Sequence, residues 1–151
     1  MKSFPWQNWL RRHPLFTSLN EQEIAELLSD EVSQERVYPQ DSIILSGGEG
    51  GDSVFLLGSG SVQVTLGGTG GPFMPVAFLQ AGEIFGEMAV VEHKPRSATV
   101  VAREKCLLLE VAGEEIRKLL DRHPVMEVQL YTVVRDRLRQ WFQSLGAGDP
   151  R

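Results

Sequence analysis

The spacing of apolar positions changes twice along the chain and divides it into three regions. Near the start, Phe4, Trp6, Trp9 and Leu10 recur at helical spacing up to Arg12. His13-Pro14 ends that run, because a residue before proline is pushed out of the α region. A second helix is predicted from Asn20, whose side chain can cap it. Glu23 stands at the reciprocal position of a capping box, and Ile24, Leu27 and Leu28 follow at helical spacing. From about residue 32 to 111 the apolar residues fall instead in short β-branched or aliphatic runs at 42–45, 54–57, 61–66, 76–79, 98–102 and 107–111. The runs start roughly ten residues apart with glycine between them, the signature of a β-sandwich or barrel. Val62, Val64 and Leu66 alternate with Gln63 and Thr65, which predicts one solvated face on that strand. Residues 67–75 read as a glycine-rich hairpin tip. Helical spacing then returns, with one helix over 114–122, a break at His123-Pro124, and a longer helix over 125–145. Leu130, Val134, Leu138, Trp141 and Leu145 give that helix one apolar stripe.

The expected fold is therefore mainly β with flanking helices (α+β). It is an antiparallel β-roll or jelly-roll barrel with N-terminal helices and a long C-terminal helix. At 151 residues the chain has room for one domain with a real core and is short for two. The divisions are a helical part at 1–31, the roll at 32–111, C-terminal helices at 113–145 and a tail at 146–151.

Residues 83–91 break the β pattern with good helix formers placed between two strands, so a single helical turn is predicted inside the roll. A helix start presents N–H groups that attract an anion. Gly86 lacks a Cβ, so a ligand can approach its backbone closely. Arg96, stiffened by Pro95, offers a planar fork suited to phosphate. Glu87 would repel an anion, but an ionised carboxylate accepts a hydrogen bond from a hydroxyl. A ribose 2′-hydroxyl beside a phosphate is such a donor, so the two demands together describe a nucleotide. Each residue also has a plainer reading. Arg96 could be a surface arginine, and Glu87 a carboxylate favoured by the helix dipole.

These residues carry a resemblance. Phe85-Gly86-Glu87-Met88-Ala89, seven residues between Glu87 and Pro95-Arg96, then Ser97-Ala98-Thr99-Val100 resembles the phosphate-binding cassette of the cyclic-nucleotide-binding domain family. That family includes the bacterial catabolite activator protein, the regulatory subunits of cAMP-dependent protein kinase and cyclic-nucleotide-gated channels. Gly48 to Ser53 with Leu57 to Val62 is similar to its paired glycine turns, and Leu15 to Leu19 to its usual opening. The resemblance implies backbone contacts from Gly86 and Ala89 and a ribose acceptor in Glu87. It also implies a phosphate partner in Arg96 and a hydroxyl or backbone contact from Ser97, with Phe85, Met88, Pro95 and Ala98 completing the cassette. A threonine at the Ser97 position favours cGMP in this family, so Ser97 points towards cAMP. The last helix usually covers the base, which places Trp141 either as a purine cap or within the apolar stripe.

Composition narrows the partners. A net charge of −5 is opposite to the basic surplus of a nucleic-acid binder. Arg135, Arg137 and Arg139 spread around the last helix with Asp136 between them, which reads as a solvated face, so no DNA contact is expected. Cys106 is the single cysteine, which rules out an internal disulfide, and it opens an apolar run as a buried hydrophobe would. His13, His93 and His123 are too scattered for a metal, which argues against a metal-dependent enzyme of the cupin type. No apolar run reaches the ~18 residues of a membrane helix, and the start lacks a signal-peptide core. The resulting expectation is a soluble, cytoplasmic sensor rather than an enzyme. It takes cAMP or cGMP as ligand, needs no cofactor or metal, and switches through its last helix. That helix is a candidate homodimer surface, and any effector domain lies outside these residues. The alternative is an interaction module that keeps the fold without binding a ligand.

Overall fold

The structure is a computed structural model that describes residues 2–46, 51–66, 74–92 and 98–144. Helix α1 (Trp6–Arg12) is followed by a single 3₁₀ turn (Pro14–Phe16) and α2 (Glu21–Leu27). Strands β1 (Ser33–Tyr38), β2 (Ile43–Leu45), β3 (Val54–Ser59), β4 (Ser61–Leu66), β5 (Met74–Gln80) and β6 (Ile84–Phe85) lead to α3 (Glu87–Glu92). Strands β7 (Ala98–Ala102) and β8 (Cys106–Val111) precede α4 (Gly113–Arg122) and α5 (Pro124–Ser144). The strands form two antiparallel four-stranded sheets, ordered β1-β8-β3-β6 and β2-β7-β4-β5. This is the expected roll with its flanking helices.

The capping box forms as the sequence predicts. Asn20 Oδ1 accepts from the Glu23 N–H at 2.8 Å, and Glu23 Oε1 accepts from the Asn20 N–H at 3.0 Å. Helix α1 begins two residues later than expected, at Trp6. The N–H groups of Ser3 and Phe4 donate instead to Glu35 on β1, as does the Trp6 indole at 2.7 Å. Burial pushes the Glu35 carboxyl up, but these donors outweigh it and hold it below the usual carboxylate range. They tie the N-terminal segment to the first sheet.

The core joins both sheets to the helices. Strand β3 is buried along Val54, Phe55, Leu56 and Leu57, with helices α1 and α3 against it. The Trp9 indole donates to the Leu57 carbonyl at 2.9 Å. Between β3 and β4, Gly60 turns at φ 93°, where an added Cβ would lie 2.5 Å from the Lys105 carbonyl oxygen. That close approach requires glycine.

Two strand expectations need correction. Strand β4 has no fully solvated face, because Thr65 is buried and its hydroxyl donates to the Thr99 carbonyl at 3.4 Å. A register shift between Val64 and Thr65 in the pairing with β5 disrupts the alternation there. Strand β1 carries no strand pattern in the sequence, and its six-residue pairing with β8 makes it a strand. Cys106 is fully buried, and burial pushes its thiol up from the ordinary value. Residues 67–73 of the predicted hairpin tip lie outside the described residues.

Candidate functional site

The site is built where the roll leaves β-structure. Strand β6 has only two residues, paired as Phe55↔Phe85 and Leu56↔Ile84. Phe85 stacks on Phe55 with ring centroids 5.2 Å apart, so its side chain serves the core. Gly86 then turns the chain at φ 86°, in the left-handed region that glycine enters without steric cost. Helix α3 starts at once with Glu87, which is 2% exposed. Met88 packs in the core, Ala89 lies within α3, and Ala98 opens β7 as a buried residue. Pro95, Arg96 and Ser97 lie outside the described residues, as does His93.

A buried carboxylate needs a partner, and Glu87 has one that the sequence did not suggest. Arg137 of α5 donates one guanidinium nitrogen to Glu87 Oε1 and the other to the Ile84 carbonyl. The pair is well shielded, with side-chain exposures of 11% for Arg137 and 3% for Glu87. The expected solvated arginine face therefore holds for Arg135 and Arg139 but fails at Arg137. The reason is the rotation of α5. Its inward residues are Met126, Leu130, Val134, Arg137 and Trp141, spaced four, four, three and four apart. Leu138, expected in that stripe, is 40% exposed, and Leu145 lies outside the described residues. Trp141 is buried one turn beyond Arg137, so it sits on the same face as the ion pair. A signal for Arg137 was present in its spacing of three from Val134 and four from Trp141.

The N-terminal helices also reach the site. Helix α5 packs against β5, α3, α4 and the 3₁₀ turn. His13, which opens that turn, stacks on Trp9 at 5.1 Å, and its Nδ1 accepts from the Leu15 N–H at 3.1 Å. Burial and then the positive charge of Arg137 hold the His13 imidazole down to about 4. It is therefore neutral near pH 7 and adds no repulsion towards Arg137.

A buried acceptor, Glu87, follows a glycine turn, and a cationic side chain from a separate helix occupies it. Among the described residues, no group of three or more His, Cys, Asp and Glu side chains could hold a metal ion. No described helix is long and apolar enough to cross a membrane.

Comparison with known proteins agrees with this architecture. Residues 35–123 match the model of the family described as cyclic nucleotide-binding domain. The chain is 34% identical over 131 residues to the cyclic AMP receptor protein of Thermus thermophilus, covering 87% of this chain and 60% of that protein. The crystal structure of the Thermus thermophilus catabolite activator protein superposes with a TM-score of 0.70 at 34% identity, over 88% of this chain and 62% of that one. A cAMP-dependent protein kinase regulatory subunit of Aspergillus niger is 31% identical over 76% of this chain and 27% of its own. The chain thus spans less than two thirds of these relatives. The match over 35–123 and the 34% identity across most of its length place the chain in the cyclic nucleotide-binding domain family.

Proposed function

We propose that this chain binds a cyclic nucleotide, cAMP in preference to cGMP, as a regulatory module that responds through α5. The observation that carries the reading is the buried Glu87 carboxylate behind the Gly86 turn, occupied by Arg137 from the helix that would have to move. Glu87 takes the ribose 2′-hydroxyl, and Arg96 takes the cyclic phosphate with help from Ser97 and the Gly86 and Ala89 backbone. Entry of the hydroxyl competes with the Arg137 guanidinium for Glu87. The ligand thereby shifts α5 to the extent that it binds better with Arg137 displaced or re-paired. Trp141, one turn away, meets the purine in that rearrangement. Stacking on a base is worth roughly 1–3 kcal/mol by analogy with nucleic-acid complexes. The module is a sensor and not an enzyme, and its effector is a partner outside these residues. Calorimetric titrations with cAMP and cGMP test the base preference. Tighter cAMP binding is expected, and tighter cGMP binding would reverse the assignment.

A second reading, an interaction module that acts without ligand, is favoured by the outer face of α5. Val128, Tyr131, Arg135, Leu138 and Phe142 follow the three–four spacing of a coiled-coil seam. The four apolar ones are 66%, 53%, 40% and 54% exposed in sequence order. Two copies of α5 laid side by side would cover them, giving a homodimer on the helix face opposite Arg137 and Trp141. Leu138→Glu is then expected to convert a dimer to a monomer in sedimentation while leaving the monomer folded. A wild-type chain that sediments as a monomer at high concentration would end the dimer assignment.

A further inference from the structure

The root of α5 is held by a second carboxylate. His123 is the single residue between α4 and α5. Its N–H donates to the Leu119 carbonyl at 2.9 Å, and its carbonyl accepts from the Glu127 N–H at 3.2 Å. It therefore closes one helix and opens the next, with Pro124 as the first residue of α5. Its side chain does not turn to solvent. His123 Nε2 lies 2.7 Å from Glu23 Oε2 on α2, and Arg122 approaches the same oxygen at 3.4 Å. The other Glu23 oxygen is already committed to the capping box of α2. The side chain of Glu23 is 8% exposed and that of His123 22%, whereas that of Arg122 is 53% exposed, so His123 is the shielded partner. The Asn20 N–H first, and His123 next, hold the Glu23 carboxyl below the usual carboxylate range.

We infer that the Glu23–His123 contact is a clasp that fixes the pivot of α5 and so controls access to the nucleotide site. The inference rests on the ligand reading proposed above and adds its regulation. The lever is long. From His123 to Arg137 is about 21 Å along a helix rising 1.5 Å per residue, so a pivot of about 10° moves Arg137 by about 4 Å. That displacement exceeds the tolerance of a hydrogen bond, so the angle at the root decides whether Arg137 stays on Glu87. With the clasp closed, α5 is held with Glu87 occupied. With it open, Arg137 leaves more easily and the 2′-hydroxyl meets less competition. His123 is thus a positioning residue that acts through Arg137 and touches no ligand.

The test combines three variants with two readouts. His123→Ala opens the clasp, His123→Gln restores a donor, and Asn20→Ala damages the helix cap alone. In calorimetry, His123→Ala is expected to bind cAMP about fivefold more tightly than wild type, the net scale of one ordinary hydrogen bond. His123→Gln returns towards wild type, and Asn20→Ala lowers the melting temperature without moving Kd. In an Arg137→Met background the gain from His123→Ala disappears, since the clasp then has no latch to hold. The second readout uses no ligand: fluorine NMR of 5-fluorotryptophan protein, with the Trp141 resonance assigned by Trp141→Phe. The Trp141 resonance is expected to shift in His123→Ala while those of Trp6 and Trp9 stay in place. An unmoved Trp141 resonance, or an unchanged Kd beside a lowered melting temperature, overturns the clasp. If the wild-type protein binds neither cAMP nor cGMP, the nucleotide reading fails, and the Trp141 resonance alone decides the clasp.

Discussion

Replacing Glu87 with alanine is expected to destabilise the protein by about 3–5 kcal/mol, the cost of leaving the other member of a buried ion pair without its counter-charge. The size follows from the shielding. Glu87 is 2% exposed, and among the described residues the Arg137 guanidinium would keep only the Ile84 carbonyl as its partner. For a chain of this length that loss lowers the melting temperature by about 10 °C or more. Pairing the change with Arg137→Met should recover most of it, because an apolar side chain then joins Val134 and Trp141 on the inward face of α5. The two single changes and the double change therefore will not add. The ligand effect is separate. Wild-type protein is expected to bind 2′-deoxy-cAMP about tenfold more weakly than cAMP, since the analogue offers Glu87 no hydroxyl. Glu87→Ala should bind the two alike at a temperature where it remains folded. A stability loss below about 1 kcal/mol would contradict the buried pair. Retained discrimination against the deoxy analogue would contradict the ribose role.

The parts of this architecture that depend on local chemistry could be read from sequence, and the parts that depend on distant partners could not. The Asn20–Glu23 capping box spans three residues and is visible as a motif. The short helix after Gly86 is visible because helix formers interrupt a β pattern, and the strands at 61–66 and 98–102 are visible from their β-branched content. Strand β1 hides because Gln34 and Arg36 face solvent and Glu35 serves the N-terminal segment, so its identity comes from β8, over seventy residues later in the chain. Strand β6 is too short to have a pattern. Arg137 hides for a subtler reason. A helix period of 3.6 lets either position 137 or position 138 continue the run from Val134 to Trp141, and leucine is the natural choice at a buried position. The carboxylate that reverses this choice lies fifty residues earlier. Trp141 is legible as part of the stripe, and the base contact proposed for it requires a ligand.

Charge reversal at Arg96 is expected to have the largest effect on binding. The phosphate of a cyclic nucleotide keeps one negative charge, and a guanidinium fork matches its oxygens with two donors. Arg96→Glu removes those donors and sets a negative charge against the phosphate. Truncating one partner of a hydrogen-bonded charge pair costs about 2–5 kcal/mol, and the repulsion adds to it, so Kd should rise more than a hundredfold. Arg96→Lys keeps the charge and loses the fork, and should fall between the two. Neither change removes a member of the Glu87–Arg137 pair, so the melting temperature without ligand should stay near that of wild type.

Cyclic-nucleotide binding through Arg96 is tested by calorimetric titration of cAMP, side by side, into wild-type protein and Arg96→Glu. Saturable binding of one cAMP per chain is expected from the wild type, and no saturable heat from the variant. Equal affinities in the two proteins, or a wild-type chain that takes up neither cAMP nor cGMP at millimolar concentration, would contradict it.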